Sequence, residues 1–274
     1  MKNDSYRRFY ELAGRCYPED ELTYSSLSGL IRKKWVLAAM RRFLSPGNLL
    51  DCGSNIGRLS QGWRRGSVFG VDLARSALIR GRRLFPHVHF IHGDLRALGF
   101  IRDGSIANAI VIETLEHLPE PEPFLRSLHR VMKPGGRVLI TTPGYAKVRP
   151  RMLSLGLLRS YGIDDAPAGG EYIHTAYKPT ELADLIRTAG FEIVEQGGFE
   201  HELRGWVKPL VLAAGIYSRF ADRLFPRSRL NILFQKSLRA LEINLFYGLE
   251  TFSFSCLLRR LFPEGRRSYV VARR

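Results

Sequence analysis

At 274 residues, 45% hydrophobic and 25% charged, the chain can bury a full core in one large or two small domains, which excludes a disordered segment. Its formal charge of +16 is carried mainly by arginine, 34 against 8 lysines, and has no isolated basic tail; a solvated basic surface, an anionic membrane surface and nucleic acid all fit it. Cys16, Cys52 and Cys256 are odd in number and far apart, which gives neither a disulfide framework nor a CxxC metal pair, so a reducing cytoplasm is the expected compartment.

The opening MKNDSYRRFYELAG has no apolar core of signal-peptide type, and no run reaches the roughly 18 apolar residues of a membrane span. Neither secretion nor spanning is expected. Residues 4–44 read as helical, with Trp35, Val36, Ala39, Met40 and Phe43 on one face, and residues 1–45 are expected to form a helical cap. From Asn48 the pattern changes to short apolar runs ending in polar residues: NLLDCG, SVFGVDL, HVHFIHGDL, IANAIVIE and GRVLITTP. Such runs, separated by helical lengths, predict a parallel sheet with crossover helices and chemistry at the carboxyl ends of the strands. Residues 144–170 read as a mobile segment over an acceptor site. KPTELADLIRTAGF reads as a helix with threonine capping, FEIVEQGGF as a sixth strand and SYVVARR as the final one. The domain then runs from 46 to 274, with a helical insert at 202–264.

The predicted strands end at Asp51, Asp72, Asp94 and Glu113, four acids at equivalent positions, which suggests a ligand rich in hydroxyl and amino donors. Between them, LLDCGSNIGRLS fails the dinucleotide fingerprint G-x-G-x-x-G, which from Gly53 would need glycine where Asn55 and Arg58 stand. The pattern present is D-x-G-x-N-x-G. Asn is the side chain that best tolerates a positive φ, so Asn55 can keep the turn.

This loop resembles the first motif of the class I S-adenosylmethionine-dependent methyltransferases, of the type 11/23 domain. VFGVDLARSAL, FIHGDL and LEHLPEPEPFLRSLHRVMKPGGRVLITTPG resemble the motifs that follow it. The resemblance implies an α/β, Rossmann-like fold: a seven-stranded, mainly parallel sheet with helices on both faces, plus helical cap elements. It also implies site roles. Gly53, Asn55 and Gly57 would pass the methionine part of the cofactor, Asp72 would accept both ribose hydroxyls, and Asp94 with the backbone of Leu95 would meet the adenine. Leu73 would pack on the adenine, Asp51 would order the loop, and Glu113 would close the cofactor site.

Methyl transfer needs an acceptor aligned with the sulfonium carbon and, for a hydroxyl acceptor, a base. Glu113, Glu116 and His117 follow the fourth strand with the spacing E-x-x-E-H. This resembles the ubiquinone-pathway O-methyltransferases and the small-RNA 2′-O-methyltransferases, where such a trio with a later histidine, here His174, holds a divalent metal. Two readings stay open. Glu113, Glu116, His117 and His174 ligate Mg²⁺, Mn²⁺ or Zn²⁺, or Glu116, His117 and His174 shape the acceptor pocket and supply a base. His87, His89 and His92 are expected to pack or face solvent, and His129 to lie on the surface.

The insert is rich in Leu, Phe, Ile and Trp yet interrupted by Arg and Lys, with ten basic residues against four acids between 202 and 260. It reads as amphipathic helices that sit on an anionic membrane, close over an apolar substrate, or form a homodimer interface. The expected function is O-methylation of an amphipathic small molecule, a quinone, lipid or glycan precursor, in the cytoplasm or at the inner membrane surface. RNA 2′-O-methylation and a non-catalytic scaffold are the alternatives.

Overall fold

The structure, a computed structural model, describes residues 27–144, 175–201, 229–251 and 265–274 without a break, together with residues 7, 10, 11, 14, 15, 24, 152–154, 171–173, 212, 213, 215–220 and 223. Strands β1 (Leu49–Cys52), β2 (Val68–Asp72), β3 (Val88–His92), β4 (Ile106–Ile112) and β5 (Met132–Pro143) are parallel neighbours. A short ribbon, β6 (Met152–Ser154) against β7 (Glu171–Ile173), stands apart from the main sheet. Strand β8 (Glu192–Phe199) forms the far edge, and β9 (Arg267–Arg273) runs antiparallel to both β5 and β8. The seven-stranded order is β3, β2, β1, β4, β5, β9, β8. The order reverses between β1 and β4, and at such a switch point the helices diverge and leave a crevice.

Alternation along the strands sends one set of side chains to each face, and both sets are buried because helices cover both. Leu50, Val71, Val111 and Ile140 meet Phe124, Leu125 and Leu128 of α3 (Pro121–Val131) and Leu182 and Ile186 of α4 (Pro179–Thr188). On the other face Leu49, Val68, Ile110 and Leu139 meet Val36, Ala39, Met40 and Phe43 of α1 (Leu27–Phe43) and Leu78 of α2 (Arg75–Leu84). The apolar stripe of α1 therefore covers the sheet itself. Trp35, beside it, stacks on Phe199 at 3.9 Å. Buried Asn108 ties the α1–β1 connection to β4: its side-chain amide donates to the Ser45 carbonyl, and its oxygen accepts the Ser45 N–H.

Three local readings are corrected. Within 144–170, Met152–Ser154 is a paired strand; the rest of that segment lies outside the described residues. Thr180 does not cap α4, because Pro179 fixes the start one residue earlier and the Glu181 carboxylate accepts the Lys178 N–H at 2.9 Å. His129 is not a surface histidine: its ring is half-buried, edge-on to Phe191 at 5.0 Å, and burial lowers its pKa. In the insert, α5 (Arg229–Thr251) and residues 215–220 are helical, and α5 packs on α1. Among the described residues no helix is long and apolar enough to cross a membrane.

Candidate active site

The loop after β1 takes its shape from three residues in the left-handed region, Gly53 (φ 77°), Asn55 (φ 47°) and Gly57 (φ 79°). Asn55 thus keeps the turn where a third glycine would be expected. A Cβ on Gly53 would stand 2.3 Å from Thr114 Oγ1, so glycine is required there for close approach as well as for φ. The loop is pinned from β2. Asp72 accepts the Asn55 N–H on Oδ2 and the Ala74 N–H on Oδ1, both at 2.8 Å. Burial nonetheless raises the Asp72 pKa, and it pushes Asp51 up to about 7.

The strand ends open onto one cleft of about 180 Å³. Asp51, Gly53, Asn55, Asp72, Leu73, Asp94, Leu95 and Glu113 all line it, so the four acids at the ends of β1 to β4 come together. Gly57 is buried against Phe90 and shapes the loop from beneath. His92, exposed at the end of β3, shares a hydrogen bond with the Leu73 carbonyl at 3.0 Å. Asp94 differs from expectation in one respect. Its carboxylate is clasped by the Arg96 guanidinium, Nη2 to Oδ2 at 2.5 Å and Nε to Oδ1 at 3.0 Å. Burial alone would raise the Asp94 pKa, but Arg96 holds it below the usual range.

Beyond β4 the chain turns through Glu113, whose φ is 51°, into a 3-10 turn over Leu115–His117. Glu113 is committed to protein partners. Thr141 Oγ1 donates to Oε1 at 2.9 Å, while Arg267 Nε lies 2.9 Å and Arg32 Nη1 3.7 Å from Oε2. Burial would raise its pKa, but the two guanidiniums overcome this and lower it. Arg32 also donates from Nε to Glu200 Oε1 at 2.9 Å, across 168 residues of chain. Glu200 is itself buried and left-handed, with φ 57°. Glu116 is 1% exposed, and burial together with the Glu113 charge raises its pKa well above the usual carboxylate range. Its Oε1 lies 3.8 Å from His117 Nε2. His117 lines the cleft, and Tyr10 meets its ring edge-on at 6.0 Å.

His174 lies outside the described residues; its neighbour Thr175 donates its N–H to the Glu116 carbonyl at 2.9 Å. Among the described residues no group of three or more His, Cys, Asp or Glu side chains is placed to hold a metal ion. Glu113, clamped by two arginines and a threonine, is a poor ligand. Sequence reasoning missed Arg32, Tyr10, Tyr24 and Arg58, which line the cleft, and Glu200 and Arg267, which pair with Arg32 and Glu113.

Residues 50–140 match the methyltransferase domain family. Over 201 residues, 71% of this chain and 83% of the relative, the sequence is 28% identical to the ubiquinone biosynthesis O-methyltransferase of Ralstonia nicotianae. It is 27% identical over 203 residues to the protein of the same name from Xanthomonas euvesicatoria pv. vesicatoria, again over 71% of this chain and 83% of that one. A structure of an S-adenosylmethionine-dependent methyltransferase from Mesorhizobium loti superposes with a TM-score of 0.54 at 16% identity, covering 91% of this chain and 100% of that one. The cyclase SpnF superposes with a TM-score of 0.52 at 16% identity, covering 88% and 81%, so this fold hosts more than one chemistry. Domain, relatives and fold agree: residues 50–140 carry a methyltransferase domain, the fold is that of the class I methyltransferases, and together they support an S-adenosylmethionine-dependent methyltransferase.

Proposed function

We propose that this methyltransferase transfers its methyl group to a hydroxyl oxygen of an amphipathic small molecule, of quinone, lipid or glycan-precursor type. The observation that carries the reading is the placement of His117, a side chain able to accept a proton, on the wall of the cleft just past β4. The relatives from Ralstonia and Xanthomonas, whose names include O-methylation in ubiquinone biosynthesis, support an oxygen acceptor and a quinone-like ring.

The residues fit the cofactor. A loop held open by Gly53, Asn55 and Gly57 leaves backbone N–H groups and little bulk beside the cleft, and half-buried Asp72 keeps lone pairs for the two ribose hydroxyls after accepting its backbone donors. Leu73 and Leu95 supply apolar walls for the adenine, and Asp94 accepts its amino group beside Arg96. S-adenosylmethionine supplies an electrophilic methyl group when bound. The chain's own part is to align an acceptor oxygen with that methyl group and to take the oxygen's proton on His117. Glu116, buried and adjacent, buttresses the turn that carries His117. The described donors do not fit a metal, and no step is assigned to one.

The test is product analysis with methyl-labelled S-adenosylmethionine and a panel of hydroxylated quinols and polyprenyl or glycan alcohols. The expected product carries the label on oxygen, with His117→Ala lowering kcat by about a hundredfold or more. Label on nitrogen or carbon, or full turnover by His117→Ala, would overturn the proposal.

A further inference from the structure

Helix α5 is 23 residues long and carries more apolar surface than its packing on α1 uses. The packed side is marked by buried Phe246 and by Lys34 of α1, which hydrogen-bonds Asn244 and lies over the Tyr247 ring at 4.5 Å. On another flank Phe234, Leu241 and Leu245 are exposed, at spacings of seven and four, so they form one stripe along the helix. Tyr217 extends it. Its ring lies 5.1 Å from that of Phe234, and residues 215–220 add exposed Ile216 and Phe220, the latter 64% exposed.

The exposed charges described near Tyr217 have one sign. Arg219 and Arg223 are exposed, whereas among the described residues between 212 and 245 no acidic side chain is; Glu242 is half-buried. An aqueous surface of this kind is unusual, since exposed aromatic and aliphatic groups in a contiguous patch mark an interaction site. A second copy of the chain on a two-fold axis would bring the same cations against one another. An anionic bilayer takes both features at once, apolar side chains into the headgroup and acyl boundary and guanidiniums onto phosphates.

We propose that the face formed by residues 215–220 and the Phe234, Leu241, Leu245 flank of α5 docks this enzyme on an anionic lipid surface. The docked face connects to the active site through α1, whose Lys34 grips α5 while Arg32, two residues earlier, lines the cleft. The inference stands whether or not the acceptor is a hydroxyl compound, because it uses no residue of the cleft.

The experiment is flotation of the full chain with phosphatidylcholine vesicles, with and without phosphatidylglycerol. Two variants accompany it, Phe234→Glu with Leu241→Glu, and Arg219→Glu with Arg223→Glu. S-adenosylmethionine affinity, measured by calorimetry, is expected to be unchanged in both, which shows that they fold. Wild type is expected to float with phosphatidylglycerol vesicles at least about tenfold more than with neutral ones at low salt, and to be released at about 0.5 M salt; each variant loses the binding. Equal recovery with both vesicle types, no recovery with either, or undiminished recovery of folded variants would overturn the proposal. So would a dimer by sedimentation that the apolar variant splits, in a protein that does not float.

Discussion

Arg267 Nε lies 2.9 Å from Glu113 Oε2, so the first residue of the last strand fixes the acid that follows β4. Arg32 adds a second cation to Glu113 and ties it to Glu200. The Arg32 side chain is 11% exposed and that of Glu200 3%, so this network is poorly screened by solvent. Removing one partner from such a set leaves a buried charge unpaired. Arg32→Met is expected to lower stability by about 3 kcal/mol in denaturant titrations. Arg32→Met combined with Glu200→Gln recovers part of that loss, and the double-mutant cycle reads the coupling.

Glu116 separates the base reading from the metal reading. Its pKa is raised, so its contribution to stability is fully present below the usual carboxylate value and is lost as pH rises through the folded one. Glu116→Gln preserves shape and removes the titration. It is expected to leave kcat within about threefold, since the proton transfer assigned to His117 uses no charge on Glu116. A metal ligand replaced by an amide would instead cost most of the activity, and a chelator would do the same to wild type. Turnover of Glu116→Gln, measured beside chelator-treated enzyme, checks both.

Asp51 gives a pH dependence of defined sign. Its folded pKa of about 7 stands above the unfolded value near 3.8, so the native state holds a proton that the unfolded chain has lost. Stability is expected to fall between pH 4 and 7 by up to about 4 kcal/mol and to level off above. Asp51→Asn, which cannot ionise, flattens that part of the profile. Melting temperatures at a series of pH values, for both proteins without cofactor, show it.

At Gly53 both the space and the backbone angle forbid a side chain. Gly53→Ala forces Thr114 away from the Cys52 carbonyl, which its hydroxyl meets at 3.1 Å, and strains a left-handed position. Cofactor affinity is expected to fall at least about tenfold, while the sheet, read by circular dichroism, survives.

What was legible in the sequence lay within one strand and its loop. Asp51, Asp72, Asp94 and Glu113 each end an apolar run, and parallel strands must bring such ends to one edge, so the chemistry of the cleft could be read from Leu49 to Glu113. Asn55 could be judged from its tolerance of positive φ alone. Arg32, Glu200 and Arg267 could not, because their partners are distant in the chain and an arginine in so basic a sequence carries no local mark. The grip of Arg96 on Asp94 was hidden for the opposite reason: the two are neighbours, and only the rotamer decides whether they pair. In the insert, composition announced amphipathic helices, but which flank α5 turns to α1 depends on Lys34, Asn244 and Tyr247 meeting in space.

The cleft as a cofactor site is tested most directly at Asp72, which accepts the Asn55 and Ala74 N–H groups and, in the proposed function, would offer its remaining lone pairs to the ribose. The measurement is calorimetric titration of S-adenosylmethionine into wild type and Asp72→Ala under the same conditions. Binding by wild type and about a hundredfold weaker binding by the variant, about 3 kcal/mol, is the expected result. Equal affinity in the two proteins, or no binding by wild type alongside tight binding of a nicotinamide dinucleotide, would contradict it.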